Sequence, residues 1–141
     1  MKTISLKIGL VCAALFVGLL PAVALEGAVV IANEGVAAGS LSADALKDIY
    51  TGKTTYWAGG QSIVIVVLAD KTDAALKEAS GMDGSQFKTF WQRLAFSGRG
   101  KQPQKADDTA ALVAMVASTK GAIALVPADA DLKGVKKIEI K

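Results

Sequence analysis

The chain has 141 residues, 52% of them hydrophobic, with 16 basic and 13 acidic side chains, one cysteine and no histidine. Without histidine there is no Ser-His-Asp triad, no imidazole base and no ordinary His/Cys zinc site. A formal charge of +3 without any run of like charge gives no electrostatic footprint for nucleic acid or a membrane surface.

Lys2 and Lys7 precede an apolar run from Ile8 to Leu20, and Pro21-Ala22-Val23-Ala24 follows it. A positive region, a hydrophobic region and a small-residue cleavage site in that order read as a secretory signal peptide over 1–24. The run is shorter than the ~20 apolar residues that a spanning helix needs. Cys12 lies inside it without a small residue directly before it, which argues against a lipoprotein. Cleavage after Ala24 leaves a thiol-free domain, 25–141, whose 14 basic and 13 acidic residues give a charge of +1. With no disulfide available, that domain has to rest on one apolar core.

Gly27 to Asn33 is a short apolar run rich in β-branched residues, as in a strand buried on both faces. Ser42 is placed as the N-cap of a helix reaching Tyr50, with Leu41 and Leu46 spaced as a hydrophobic staple. Tyr56 to Gly60 turns the chain into a second buried strand, Ile63 to Leu68, expected at the centre of the sheet. The Ala69–Asp73 stretch opens a short helix to about Ala79. Asp83 with Gln86 makes a capping pattern for another helix, on which Phe87, Phe90, Trp91 and Leu94 share one face.

Asp107 or Asp108 caps a further helix with Leu112, Met115 and Val116 buried, and Gly121 stands where a left-handed residue is wanted. Ala122 to Val126 is a strand stopped by Pro127. In the tail, Ile138 and Ile140 alternate with Lys137, Glu139 and Lys141, as on a half-exposed strand. The alternation of strands and helices places the chain in the α/β class as one domain.

Nucleophilic and cofactor chemistry find little support. Ser85 and Lys88 fit the first turn of a helix better than a Ser-Lys pair, and Asp107-Asp108 fit a cap better than paired carboxylates. The glycines match neither a phosphate loop nor a dinucleotide fingerprint, so no cofactor is expected. What remains is a set of anion-compatible groups placed at the carboxyl ends of predicted strands, where α/β sheets bind ligands: Asn33, then Lys71 and Thr72, then Ser97, Gly98 and Arg99. Glycines around Arg99 permit a nest of backbone N–H groups beside its guanidinium. Equally, Gly98 and Gly100 end the preceding helix and leave Arg99 in solvent. For Lys71 and Thr72 the alternative is helix capping, with Asp70 and Asp73 opposing an anion.

Four segments, Leu41–Lys53 with Trp57, Ile63–Leu68, Phe90–Gly100 and Ala111–Pro127 with its Thr119-Lys120-Gly121-Ala122-Ile123 turn, together resemble the phosphate-type periplasmic solute-binding proteins of ABC importers. The resemblance implies a single lobe of the type II periplasmic-binding-protein fold, a mixed sheet flanked by helices. It further implies a non-enzymatic role in binding inorganic phosphate or another small oxyanion in the periplasm. The chain departs from the family twice. Asp70-Lys71-Thr72-Asp73 stands where the family carries a Ser-Gly-Thr-type loop, so only Thr72 matches. Gly121-Ala122-Ile123-Ala124-Leu125 replaces a Gly-Ala-Ile-Gly-Tyr run.

One lobe gives one wall of a cleft. Two or three charge-assisted hydrogen bonds at ~1.5–3 kcal/mol each, set against association costs of at least ~4 kcal/mol, place such a wall near millimolar affinity. The expectation is that a second copy in a homodimer, or a membrane transporter or sensor partner, closes the site. A different reading makes the chain a periplasmic adaptor whose exposed aromatics, Tyr56 and Trp57 among the candidates, dock on that partner, with Trp57 more commonly a core plug than a docking residue.

Overall fold

The structure, a computed structural model, describes residues 27–68 and 73–141. The signal segment expected at 1–24 and the pair Lys71 and Thr72 lie outside the described residues. Ten elements follow in order: β1 (Ala28–Asn33), β2 (Ser40–Leu41), α1 (Ala43–Tyr50), β3 (Val64–Leu68), α2 (Asp73–Ser80), α3 (Gly84–Phe96), β4 (Gln104–Ala106), α4 (Thr109–Ser118), β5 (Ala122–Pro127) and β6 (Val135–Ile140).

The helix starts obey local chemistry. Ser42 Oγ accepts from the N–H of Ala45 at 3.0 Å at the head of α1, and Asp108 Oδ1 accepts from Ala111 at 2.7 Å at the head of α4. At α3 the box is reciprocal: Asp83 Oδ1 accepts from the Gln86 N–H, and Gln86 Oε1 accepts from the Asp83 N–H. Each such cap satisfies donors that the first turn leaves without helical partners.

The six strands form one mixed sheet in the order β2-β6-β1-β5-β3-β4. β1 lies antiparallel between β5 and β6, while β3 runs parallel to both β5 and β4. The strand expected at the centre, β3, therefore stands one place from the edge, and β1 and β5 hold the middle. Its neighbour β4, with three residues, and β2, with two, are too short to carry a readable period. Pro103 and Lys105 at the β4 edge are residues that discourage further strand pairing.

Alternation along β1 divides two cores. Val30 and Ala32 enter the cluster packed under α1, α2 and α3, and Ile31 enters the one covered by α4. The first core is aromatic: Phe87 lies 6.0 Å from Tyr50 and 6.1 Å from Trp91 between ring centres. Trp91 Nε1 donates to the carbonyl of Tyr50 at 3.1 Å, tying α3 to the end of α1. The buried Tyr50 hydroxyl finds no partner among the described residues, and burial pushes its phenol pKa up. Phe90 and Leu94 pack at the margin of this core, whereas Phe96, in the last turn, is 97% exposed.

Asn33 belongs to the scaffold rather than to a ligand site. Buried at the end of β1, its Nδ2 donates to the carbonyls of Val116 at 2.9 Å and Ala117 at 3.0 Å, and its Oδ1 accepts from Gly35. The side chain thereby closes the carboxyl end of α4, whose last carbonyls lack helical donors.

Candidate functional site

The loop after α3 is built by the way that helix stops. Ser97 is its C-cap, and Gly98 follows with φ +73°. The N–H of Gly98 donates to Ala95 O at 3.2 Å, and the N–H of Arg99 donates to Leu94 O at 3.0 Å. This is the paired closure of a Schellman motif. Ser97 adds its hydroxyl to Leu94 O, and its own N–H is bonded to Arg93 O. The backbone of Ser97, Gly98 and Arg99 is thus spent on the helix. An anion nest there is corrected to a helix stop, because the three N–H groups point back along α3.

What this stop leaves to solvent is the Arg99 side chain. Gly100 sits so close to Trp91 that a Cβ would meet the indole at 3.0 Å, which seats the loop on the ring. Arg99 and Lys101 then border a hollow of about 390 Å³ walled by Thr54, Tyr56, Ser62, Val64 and Gln104, with no carboxylate among the described residues that line it. Its place in the fold differs from expectation. Val64 begins β3 and Gln104 begins β4, so the hollow lies at the amino ends of these parallel strands.

Residues 69–72 follow Leu68, the carboxyl end of β3. At ~3.3 Å per residue, the two ends of β3 stand about 13 Å apart. Arg99 therefore borders the amino end of β3, away from Leu68 at its carboxyl end. The carboxyl end has its own hollow, of about 330 Å³, with Leu68 and Leu76 in its wall and Ser85, Lys88 and Lys105 among its polar groups. Among the described residues its lining holds no carboxylate; Asp70 and the side chain of Asp73 lie outside what is described. Lys105 escaped sequence reading because β4 did, while Ser85 and Lys88 do occupy the first two turns of α3 as expected.

Trp57 takes the core role rather than the docking one. It is buried, and its Nε1 donates to Gly121 O at 3.0 Å. It pins the 56–62 hairpin, in which Gly60 donates back to Trp57 and Tyr56 pairs with Ser62. Of the two aromatics expected to dock a partner, only Tyr56 is exposed, at 61%.

Comparison with solved structures decides the fold. A protein assigned as a phosphate ABC transporter substrate-binding protein from Clostridium perfringens, with phosphate bound, matches at 22% identity and TM-score 0.54, over 81% of this chain and 44% of that one. An ABC-type phosphate transport receptor from Vibrio cholerae matches at 18% identity and TM-score 0.56, over 81% and 46%. The PstS protein of Borrelia burgdorferi matches at 11% and 0.54, over 82% and 47%.

The chain has the fold of a periplasmic-binding-protein lobe. It spans less than half the length of each of these three chains. No protein-family model and no curated protein sequence matches it. The α/β mixed sheet flanked by helices is the architecture that the resemblance implied.

Proposed function

We propose that this chain is an exported, non-enzymatic solute-binding lobe that takes up inorganic phosphate or a similar oxyanion and works with a membrane transporter. The observation that carries this reading is the shared fold: the proteins it matches are phosphate receptors, one with phosphate bound, over 81% of this chain. Supporting it, the described lining of the hollow at the carboxyl end of β3 includes Lys88 and Lys105. Ligands of α/β sheets gather at that end. Thr72 would contribute a hydroxyl, with Lys71, Lys88 and Lys105 supplying positive charge. Export rests on residues 1–24, and among the described residues no helix is long and apolar enough to cross a membrane.

Arg99 offers a second oxyanion position, favoured by its own hollow, whose described lining holds no carboxylate. The two positions are separable. Calorimetry with phosphate, sulfate, molybdate and small carboxylates should give millimolar affinity for the preferred oxyanion, in line with one open wall. A joint Thr72→Ala, Lys105→Ala variant should abolish that heat while Arg99→Ala keeps it; the reverse result moves the site to the amino end of β3. Parallel mass measurements with and without ligand show whether a second copy closes the wall. The proposal falls if no oxyanion raises the melting temperature even at about 50 mM, where a millimolar ligand contributes over 2 kcal/mol.

A further inference from the structure

A hollow on the other side of Tyr56 has the opposite character. The loop 34–39, α1 and the 56–62 hairpin enclose about 630 Å³, walled by Ala37, Ala38, Leu41 and Ala58, with Asp48 and Tyr56 also in the lining. Among the described residues Asp48 is the one ionisable carboxylate there, and no lysine or arginine lines the space. It is half-buried on α1, and its carboxylate makes no ion pair or hydrogen bond among the described residues. The backbone carbonyl of Asp48 is occupied, accepting from the N–H groups of Lys53 and Thr54. Lys47 and Lys53 are its nearest cations in sequence; both are exposed and neither borders the hollow.

We infer that this hollow binds a small organic ammonium ion, with Asp48 as counter-ion and Tyr56 as the aromatic wall. A partly desolvated carboxylate facing apolar walls is costly until a cation meets it. A hard metal ion is a poor match, since calcium or magnesium wants about six or more oxygen ligands and these walls are alanine and leucine. The cation has to bring its own apolar surface. Alkylated ammonium groups do so, and they are attracted to aromatic faces.

Tyr56, 61% exposed on a hairpin held by buried Trp57, presents such a face without having to be ordered on binding. The volume falls within the roughly 300–1,000 Å³ usual for small-ligand sites. Selectivity is built in, because the neighbouring hollow shares Ile49, Thr54 and Tyr56 but carries Arg99 and Lys101, which repel the same cation.

The test titrates the full exported chain with choline and, separately, with dimethylbutanol, its neutral carbon isostere, following backbone amide NMR shifts. Choline should shift residues 35–38, 48 and 54–59 with millimolar affinity, and the neutral isostere should bind about tenfold more weakly. Asp48→Asn and Tyr56→Ala should each weaken choline about tenfold, while Tyr56→Phe retains it. Both positions are at the surface, and circular dichroism verifies that the variants fold. Phosphate binding should be unchanged in Asp48→Asn, so loss of the oxyanion reading leaves this one standing. Equal shifts from choline and dimethylbutanol, unaltered choline affinity in Asp48→Asn, or no response at about 100 mM choline would each overturn the inference.

Discussion

Gly98 and Gly121 adopt nearly the same backbone, φ +73° and +78°, yet the molecule uses them for different ends. At Gly98 a Cβ would meet nothing within 4 Å; at Gly121 it would lie 2.0 Å from the carbonyl oxygen of Ser62. The first glycine only lets a helix stop. The second lets two backbones meet where β5 begins beside β3, and its carbonyl receives both the Trp57 indole and the Val64 N–H. Similar φ values therefore say little about how far a position tolerates change. Surroundings decide it: the Arg99 side of the amino end of β3 is free to vary, and the Gly121 side is locked.

That contrast can be broken most forcefully at Gly121. Gly121→Ala adds left-handed strain to a backbone collision and should cost about 4 kcal/mol or more, enough to prevent folding in a marginal domain. A soluble variant with an unshifted melting curve would refute the lock. Trp57→Phe removes one donor from Gly121 O but leaves that of Val64, so chemical denaturation should show a loss of about 2 kcal/mol with the fold intact.

Gly98→Ala faces only the torsional penalty, ~1–2 kcal/mol, and its thermal midpoint should fall by several degrees at most. The smallest effect belongs to Arg99→Ala. An exposed arginine without an ion pair among the described residues should change stability by less than about 0.5 kcal/mol, so any loss of oxyanion binding in this variant would report on ligand contact alone. A loss of stability at Arg99 comparable with that at Trp57 would erase the distinction between the two sides.

The elements legible in the sequence are those specified by near neighbours. Ser42, Asp83 and Asp108 act within three residues of their targets, and the β-branched runs of β1, β3 and β5 need no partner to be recognised. Strand order was not legible, because the pairing of β3 with Gln104–Ala106 depends on three residues that have no period of their own. Asn33 was misplaced and the core role of Trp57 left open for a related reason: their partners lie 83 and 64 residues away.

At Ser97–Arg99 both readings were on hand, a nest or a helix stop. The choice turned on where three N–H groups point, which composition does not encode. The hollows beside Tyr56 were invisible, since each draws its walls from at least three separate segments of the chain.

One feature of the sheet bears on how the protein comes to exist at all. β1, at residues 28–33, is sandwiched between strands that begin at 122 and 135. The central strand consequently waits for nearly the whole polypeptide before either of its ladders can zip up. Pairing over such separations is slow, because the closure entropy of a long loop comes before any contact that offsets it. Neither ladder of β1 can form before residues 122–140 are available to pair with it.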